Sequence, residues 1–520
     1  MSAASDGPAV LSSSWISNFV LSMASALILV LSQRPYDLGS LAAVALVPWL
    51  IAVSRSGPIA AVVISVAMGV VYATAGGNWL FAAFQSQGAH GMHGVLGVLV
   101  AALWGKGLLF GAVGGLVQRL RGRATAIGVI APAALFGLTE YWISNSPWGL
   151  PLLLLGHSQH SIPGVAQLAV VVGVPGISLL LFAMNAAFAS VFIKGRSRMR
   201  GAVAWAAAWL AVATVGLPIA RAFEPTVHSS PKNLLVVQPN IPPGHRWDMA
   251  YQRMILDEIA AETSRAIREF ERPPHAILWP ENLLTFPVTQ DNELGRRLQN
   301  LVNGWGAPVV TGLVREIAGG DPDRYRNSAV WWSPFVGQRD AIDKVRGIPL
   351  VESSRAFWGR GLLTRIVGAA ARGPKVEEAQ RARPLRGEFT LSPVLCFEVL
   401  FPRIVADRRD DESVAIVNLA DDSWVPGEVV DAQLIAAASF RAIEQRLTLV
   451  RVSHGGLSVV INRFGEEIAA LQPDTLAHLF LEVSSSPAPS ALEKAAILLP
   501  AVIAGWVTWT LCPSIACRFG

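Results

Sequence analysis

The sequence has few charged residues and few cysteines. Only 15% of its residues are Asp, Glu, Lys or Arg, whereas soluble globular chains carry about 25%. Together with a hydrophobic fraction of 52%, this shortage argues against an ordinary soluble enzyme and indicates a membrane protein. The cysteines are Cys396, Cys512 and Cys517, and their spacing fits neither a disulfide framework nor a metal-ligand pattern. We therefore expect no metal site and no cofactor.

The sequence also lacks a broad basic region. Its net charge is +5 and its pI is near 9.3, but Arg and Lys stand in short clusters between apolar runs. Clusters of this kind set the orientation of membrane proteins, because positive residues remain on the cytoplasmic side. We therefore expect no nucleic-acid partner and interpret the basic clusters as topology signals.

Long apolar runs occupy the amino-terminal part of the chain and its carboxyl-terminal end. Each is roughly long enough to cross a hydrocarbon core of about 30 Å as a helix, although the second run is short. The sequence therefore predicts a multi-pass α-helical membrane protein of about eight helices. About seven form a bundle in residues 1–225, and the last forms a helix with a short cytoplasmic tail in residues 490–520. The runs lie at 14–32, 39–54, 58–84, 93–116, 124–143, 166–193, 202–220 and 491–512.

The composition changes between the seventh and the eighth run. From residue 233 to residue 485 charges are frequent, and short β-like runs such as 234–237 and 414–419 alternate with helical patterns. A stretch of this length can bury a core of its own. Alternating strands and helices predict an inserted α/β domain.

The basic clusters predict the side of the membrane on which this domain lies. They follow the second, fourth and sixth runs, at Arg55, 119–123 and 194–200, whereas the loops after the third and fifth runs contain no Lys or Arg. If the positive loops stay in the cytoplasm, the amino terminus is cytoplasmic and the seventh helix exits outward. We therefore expect the domain at 233–485 to be extracytoplasmic.

Three segments of this domain contain residues that fit acyl-transfer chemistry. An apolar run leads through Trp279 to Glu281, a second segment contains Lys344, and a third delivers Cys396, the only thiol of the domain. A thiol becomes a strong nucleophile when a base removes its proton or a cation stabilises the thiolate. Glu281 fits the role of the base, and Lys344 fits that of a cation for the thiolate and the tetrahedral oxyanion.

Each of these residues alone also has an ordinary structural interpretation. A cysteine after an apolar run is more often a packing residue, and an acid after Trp-Pro can begin a helix. Lys344 can be a solvated surface charge, and Glu352 and Glu398 can be salt-bridge partners. The chemical interpretation depends on the order of the residues and on their flanking motifs.

Short motifs throughout the chain support the chemical interpretation. They are Pro35-Tyr-Asp-Leu38, Glu140 with Asn145-Ser-Pro-Trp-Gly149, Val237-Gln-Pro-Asn240 with Trp247, Tyr325-Arg-Asn327, and Asp422-Ser-Trp424 with Arg441-Ala-Ile-Glu444. With the chain order Glu, Lys, Cys, these motifs resemble those of the nitrilase superfamily. More closely, the chain resembles the membrane-bound branch of that superfamily, the apolipoprotein N-acyltransferases.

The resemblance implies a fold and a reaction. The domain is expected to be a nitrilase-type αββα sandwich on the periplasmic side of the bacterial cytoplasmic (inner) membrane. Such enzymes take an acyl chain from a phospholipid, usually phosphatidylethanolamine, onto the cysteine as a thioester. They then pass it to the amino-terminal amine of a diacylglyceryl-cysteine lipoprotein. The implied partners are thus a phospholipid donor, a lipoprotein acceptor and the membrane itself.

The resemblance also assigns roles to individual residues. Glu281 is implied to be the base, Lys344 the oxyanion stabiliser and Cys396 the nucleophile. Supporting or substrate-binding roles fall to Glu352, Glu398, Trp247, Phe397 and Trp424.

Several positions depart from the usual pattern of the family. Phe397 stands where Tyr is common, Arg346 where His is common, Val351 where Gly is common, and His454 where Asn is common. A diverged paralogue, acting as a membrane amidase or acyltransferase on another acceptor, is therefore a second hypothesis. A non-catalytic membrane assembly factor, for instance in conjugation or secretion, is a third.

Segment 353–385 combines large apolar residues with cations and glycines. Such a composition allows apolar side chains to enter lipid while cations meet headgroups. We expect a mobile lid here, and an ordinary surface segment is the alternative.

Overall fold

The fold is described from a computed structural model of the chain. It covers residues 13–86, 91–121, 125–147, 149–223, 230–241, 245, 248–270, 272–316, 324–347, 375–425 and 427–511. The amino-terminal part is a bundle of helices, and two β-sheets with further helices follow. The helices of the bundle are α1 Ser13–Ser32, α2 Val47–Arg55, α3 Pro58–Gly76, α4 Trp79–Ser86, α5 Met92–Ala102, α6 Leu108–Leu120, α7 Thr125–Asn145, α8 Pro163–Ala166, α9 Ala169–Lys194 and α10 Met199–Ala222.

Six helices among the described residues are long and apolar enough to cross a membrane. They are Ser14–Ser32, Pro58–Gly76, Met92–Leu120, Ile127–Asn145, Ala169–Lys194 and Met199–Ala222. The second predicted run forms a shorter apolar helix at Gly39–Arg55, and the eighth forms the 21-residue helix Ala491–Leu511. The prediction of a multi-pass α-helical membrane protein is confirmed.

Two predicted runs are less regular than the sequence suggested. The run at 58–84 is divided, because α3 ends at Gly76 and the short helix α4 begins at Trp79. The run at 166–193 includes Gly173, whose φ of 64° interrupts the helical backbone of α9. A left-handed φ is readily adopted by glycine, which has no Cβ.

Two mixed sheets form the domain that follows. Sheet A has the strand order β13-β1-β2-β3-β4-β5, with β6 beside β4, and sheet B has the order β12-β11-β10-β9-β8-β7. In sheet A the strands β1 to β3 are parallel, and in sheet B the strands β8 to β10 are parallel. The strands are β1 Lys232–Gln238, β2 Ala276–Leu278, β3 Val309–Glu316, β4 Arg324–Ser333, β5 Gly337–Asp343, β6 Lys375–Val376, β7 Leu385–Arg386, β8 Thr390–Leu395, β9 Ser413–Asp421, β10 Leu449–His454, β11 Val459–Ile461, β12 Glu467–Ala470 and β13 Ala477–Val483.

The sheets pack face to face between layers of helix. Successive side chains of a strand face opposite ways, so Leu234 joins the core between the sheets while Leu235 packs outward. The outer face of sheet A is covered by α11 and α12, and that of sheet B by α13 and α14. This order of layers confirms the predicted αββα sandwich. The remaining helices are α11 Gln252–Glu269, α12 Glu293–Trp305, α13 Pro402–Arg408, α14 Glu428–Gln445 and α15 Ala491–Leu511.

Helix α14 packs on the bundle as well as on sheet B. One continuous apolar core joins the bundle, α14 and the outer face of sheet B. Polar contacts fix this junction, because Trp79 Nε1 donates to Gln433 Oε1 at 3.1 Å and Gln433 Nε2 donates to the Gly76 carbonyl at 2.6 Å. Arg446, just after α14, donates to Gln167 and to Glu493 in the first turn of α15. The sandwich therefore packs on the helices through a shared apolar core and specific polar contacts.

Candidate active site

The predicted chemical residues lie where strands of both sheets end. Glu281 follows β2 and Lys344 follows β5 in sheet A, while Cys396 follows β8 in sheet B. The carboxyl ends of parallel strands meet at one edge of a sheet, which is where α/β proteins commonly place their sites. All three side chains are about 1% exposed, so the cluster is enclosed.

Glu281 and Lys344 form a buried ion pair. Lys344 Nζ donates to Glu281 Oε1 at 3.1 Å, and Asn327 Nδ2 from β4 donates to the same oxygen at 2.6 Å. The main chain of Lys344 is fixed as well, since its N–H donates to the Asn327 carbonyl at 2.7 Å. Segments at the ends of β2 and β5, with Asn327 of β4, thus hold the carboxylate and the ammonium in one arrangement.

Cys396 begins a tight 3₁₀ turn immediately after β8. Its φ is 48°, a left-handed conformation that is unusual for a residue with a side chain and is often found at functional sites. Asn418 Nδ2 from β9 stabilises the turn by donating to the carbonyls of Val394 and Cys396, both at 3.1 Å. The Cys396 thiol lies 3.9 Å from the Asp421 carbonyl oxygen.

The electrostatic surroundings of Cys396 oppose its ionisation. Burial raises the pKa of the Cys396 thiol well above its ordinary value, and the charge of Glu281 raises it further, while Lys344 lowers it. Glu281 and Lys344 therefore both act on this thiol, and the thiol is protonated in the resting site. A nucleophilic thiolate has to be formed by proton transfer to a base at the moment of reaction.

Glu398 connects the cysteine turn to the lysine segment. One carboxylate oxygen accepts from Leu395 N at 2.9 Å, and the other accepts from Val345 N at 2.6 Å. The fully buried Arg408 of α13 pairs with this carboxylate at 2.9 Å. Glu398 thus joins the ends of β8 and β5, and it fixes Cys396 and Lys344 relative to each other.

Phe397, the residue after Cys396, faces the bundle. The ring of Phe397 lies 6.1 Å from the ring of Trp79 in α4 and 6.3 Å from that of Trp424, between ring centroids. Trp424 Nε1 donates to the Asp421 carbonyl at 2.9 Å. An aromatic group shared by the bundle and the sandwich therefore lies directly beside Cys396.

Arg346 forms a second link to the bundle near the site. It stands two residues after Lys344, its main-chain N–H donates to Glu398 at 3.2 Å, and its Nη1 donates to the Ser146 carbonyl just after α7 at 2.7 Å. The guanidinium also lies 4.8 Å from the ring of Phe401. The lysine segment is thereby anchored to a helix of the bundle.

Some predicted positions lie outside the described residues. These are Glu352 and Trp247, together with residues 353–374 of the expected lid. Of the remaining lid segment, Lys375–Val376 pairs with β4 and Leu385–Arg386 pairs with β8. Over the ranges that the structure does cover, no group of three His, Cys, Asp or Glu side chains could hold a metal ion.

The structure adds site residues that sequence reasoning did not single out. Asn327 and Asn418 hold the carboxylate and the cysteine turn, and Asp422, Asp431 and Arg451 form a buried charged cluster behind the turn. Asn327 belongs to the Tyr325-Arg-Asn327 motif and Asn418 lies four residues before the motif at Asp422, but the roles of both depend on contacts between strands. The sequence does contain one indication of the charged cluster, because Arg451 is a charged residue in the otherwise apolar strand β10.

Comparisons with known proteins agree in both halves of the chain. Residues 25–187 match the family model for the apolipoprotein N-acyltransferase N-terminal domain. A protein from Brucella suis biovar 1 (strain 1330), named apolipoprotein N-acyltransferase, is 28% identical over 379 residues, which cover 71% of this chain and 69% of that protein. A protein of the same name from Geobacter metallireducens is 25% identical over 457 residues, 86% of each chain, so that match includes both the bundle and the sandwich.

Solved structures similar to this chain include members of the nitrilase superfamily. An amidase from Nesterenkonia sp. AN1 gives a TM-score of 0.35 with 17% identity, over 50% of this chain and 92% of the amidase. Nit3 from Saccharomyces cerevisiae gives a TM-score of 0.38 with 13% identity, over 53% of this chain and 96% of Nit3. By the family model and the named relatives, the chain is similar to apolipoprotein N-acyltransferases over most of its length.

Proposed function

We propose that this protein transfers a fatty acyl chain from a membrane phospholipid, through a thioester on Cys396, to the amino-terminal amine of a diacylglyceryl-cysteine lipoprotein. The observation that carries the proposal is the enclosed cluster of Glu281, Lys344 and Cys396 beside aromatic groups of a membrane-type bundle. Both substrates would be anchored in the membrane. A site against the helices avoids withdrawing an acyl chain from lipid, which costs about 0.8 kcal/mol per CH₂.

In the first step Glu281 takes the proton from the Cys396 thiol, and the thiolate attacks the ester carbonyl of the phospholipid. Lys344 stabilises the negative charge that develops on the carbonyl oxygen. The bond to the glycerol oxygen breaks, and Glu281 returns the proton to that oxygen, so a lysophospholipid leaves. The acyl chain remains on Cys396 as a thioester.

In the second step the amine of the lipoprotein attacks the thioester carbonyl. Glu281 accepts a proton from the attacking nitrogen, and Lys344 again stabilises the oxyanion. The carbon–sulfur bond breaks and the proton passes to sulfur, which restores the thiol and leaves an amide on the lipoprotein. Phe397, Trp424 and Trp79 line the membrane side of Cys396 in this scheme and supply apolar surface for the acyl chain.

The donor and the orientation form part of the proposal. We propose phosphatidylethanolamine as donor, and a periplasmic position for the sandwich at residues 233–485. The positively charged loops support this orientation. Reporter fusions near Ser230 and Ser486 should indicate export, and fusions after Lys194 should not. A cytoplasmic signal from the first two would contradict the orientation.

Complementation tests the function. Expression in a strain depleted of its own N-acyltransferase should restore growth and N-acylated lipoproteins, and the Cys396→Ala protein should restore neither. Full function in Cys396→Ala would instead favour the assembly-factor hypothesis. Release of free fatty acid without an N-acylated product would favour a hydrolase.

A further inference from the structure

A buried charged cluster lies behind the cysteine turn, on the face of sheet B that α14 covers. Val394, Asn418 and Arg451 are register partners on the parallel strands β8, β9 and β10, so their side chains stand in one row. Neighbours along these strands, such as Ile416 and Leu449, belong to the core that is shared with the bundle. Arg451 is fully buried in this apolar setting, where burying a guanidinium is costly unless hydrogen bonds and opposite charges compensate it.

The contacts of Arg451 lead to the cysteine turn by two routes. Its Nη1 donates to Asn418 Oδ1, and the amide nitrogen of Asn418 in turn donates to the Cys396 carbonyl. Its Nη2 donates to Asp422 Oδ2 at 2.5 Å, and Asp422 directly follows the residue whose carbonyl faces the thiol. One guanidinium therefore fixes both the strand that holds the turn and the segment that faces the sulfur.

A second carboxyl group completes the cluster from the membrane side. Asp431, in the first turn of α14, accepts from Leu457 N at 3.2 Å. A Cβ added at Gly456 would lie 2.5 Å from Asp422 Oδ2 and 2.8 Å from Asp431 Oδ1, so the two carboxyl groups converge over this glycine. Arg451 thus stands between the nucleophile and a pair of acids.

We infer that Arg451 is a positioning residue for acyl transfer, holding the Cys396 turn through Asn418 and Asp422 while its buried positive charge favours the thiolate. The inference rests on the proposed acyl transfer. It gives Cys396 a second cation besides Lys344, and this cation comes from sheet B, whereas the Glu281–Lys344 pair comes from sheet A. A charge in a low-dielectric interior is screened weakly, so Arg451 acts on the sulfur without touching it and opposes the charge of its partner Asp422, which disfavours the thiolate.

The test measures the reactivity of the thiol separately from acyl transfer. In the full-length protein in detergent, with Cys512 and Cys517 replaced by Ala, the rate of Cys396 alkylation by iodoacetamide is followed against pH by intact-protein mass spectrometry. Arg451→Met should shift the rise in alkylation rate to a pH that is higher by about one unit or more, because an opposite charge close by typically shifts a pKa by 1–3 units. Arg451→Lys should stay near the wild-type profile yet turn over more slowly, since lysine keeps the charge but cannot bridge two acceptors.

Two further variants separate positioning from folding. Arg441→Met removes another buried guanidinium, which pairs with Glu444 on α14, and it should leave the alkylation profile in place. Asn418→Ala keeps the charge of Arg451 and should lower turnover without moving the profile. The inference is overturned if Arg451→Met and Arg441→Met give the wild-type profile, or if both give the same displacement. Failure of the proposed function gives a different result, because even the wild-type protein would then form no N-acylated product.

Discussion

The two outer faces of the sandwich are covered by helices of equal length but different character. Helix α11 on sheet A has 8 buried residues of 18, whereas α14 on sheet B has 13 of 18. The first is an ordinary amphipathic helix with one face in water, and the second is enclosed between the sheet and the bundle. The membrane-type helices therefore act as a further packing layer for the half of the domain that carries Cys396.

The residues of the candidate site therefore come from two sheets with different surroundings. Glu281 and Lys344 come from sheet A, whose covering helices have one face in water, whereas Cys396 and the Arg451 cluster come from sheet B, which shares its core with the bundle. We therefore expect changes on the sheet B side to affect stability and chemistry together. Changes on the water-facing side of α11 and α12 should be tolerated, because they touch neither the core nor the site.

The largest expected effect comes from Glu281, the proposed base on sheet A. Glu281→Gln keeps the shape of the side chain and removes only proton transfer, so turnover should fall by about a thousandfold, within the usual range for a general base. Acyl transfer from phospholipid vesicles to a lipopeptide amine would be measured. Gln290→Glu, at an exposed loop position just before α12, should leave the rate unchanged. Turnover within tenfold of wild type in Glu281→Gln would contradict its role as base.

The buried pair between Glu398 and Arg408 should contribute strongly to stability. Both side chains are fully buried, and removing one charge leaves the other without compensation, which typically costs about 3–5 kcal/mol. Glu398→Gln should therefore lower the unfolding temperature clearly in detergent. Asp407→Asn, which breaks an exposed pair with Arg403 on the same helix, should cost less than about 1 kcal/mol. Equal shifts in the two variants would contradict the argument.

Two ion pairs, one on each outer face of the sandwich, allow the two faces to be compared directly. Arg446 and Glu493 meet at 2.6 Å where the sandwich joins the bundle, and Arg297 and Asp257 meet at 2.5 Å between α12 and α11 on the outer face. The first pair is buried, while the side chains of the second are more than two-fifths exposed. Glu493→Gln should cost about 3 kcal/mol and Asp257→Asn less than about 1 kcal/mol. Thermal unfolding at matched detergent concentration measures both.

The smallest expected effect is the pH dependence of folding stability that Asp431 causes. Burial, followed by the charge of Asp422, raises the pKa of Asp431 from 3.8 to about 7, although Arg451 opposes the shift. A raised carboxyl pKa gives stability that is present at low pH and lost as the pH rises through about 7. Wild-type stability should thus fall by about 1 kcal/mol between pH 6 and pH 8 through this group. Asp431→Asn should remove that part of the decline, and identical pH curves would show that Asp431 does not titrate in this range.

The sequence was informative about the parts of the molecule that depend on local pattern. The apolar runs predicted the membrane-type helices, and the order of Glu281, Lys344 and Cys396 led to residues that the fold brings into one enclosed cluster. Contacts between distant segments were not predictable in this way. The place of Arg451 beside Asn418 depends on strand register, and the contact of Trp79 with Phe397 depends on how the bundle docks on the sandwich.

The breaks within predicted runs have a similar cause. Both breaks occur at glycines, since α3 ends at Gly76 and α9 is interrupted at Gly173. Glycine is, however, frequent in these apolar runs. Tertiary packing decides which of them changes the backbone direction. Composition alone cannot single out one glycine among many that are compatible with a helix.

The central claim is that Cys396 carries the acyl chain, and trapping that chain tests it most directly. The purified protein, incubated with phospholipid vesicles and no acceptor, should gain the mass of one acyl chain on Cys396, and neutral hydroxylamine should release it as expected for a thioester. Cys396→Ser should gain no such adduct, because an alkoxide forms far less readily than a thiolate. Cys512→Ala should gain it normally. Wild-type protein that makes N-acylated product yet never carries the chain on Cys396 would contradict the account.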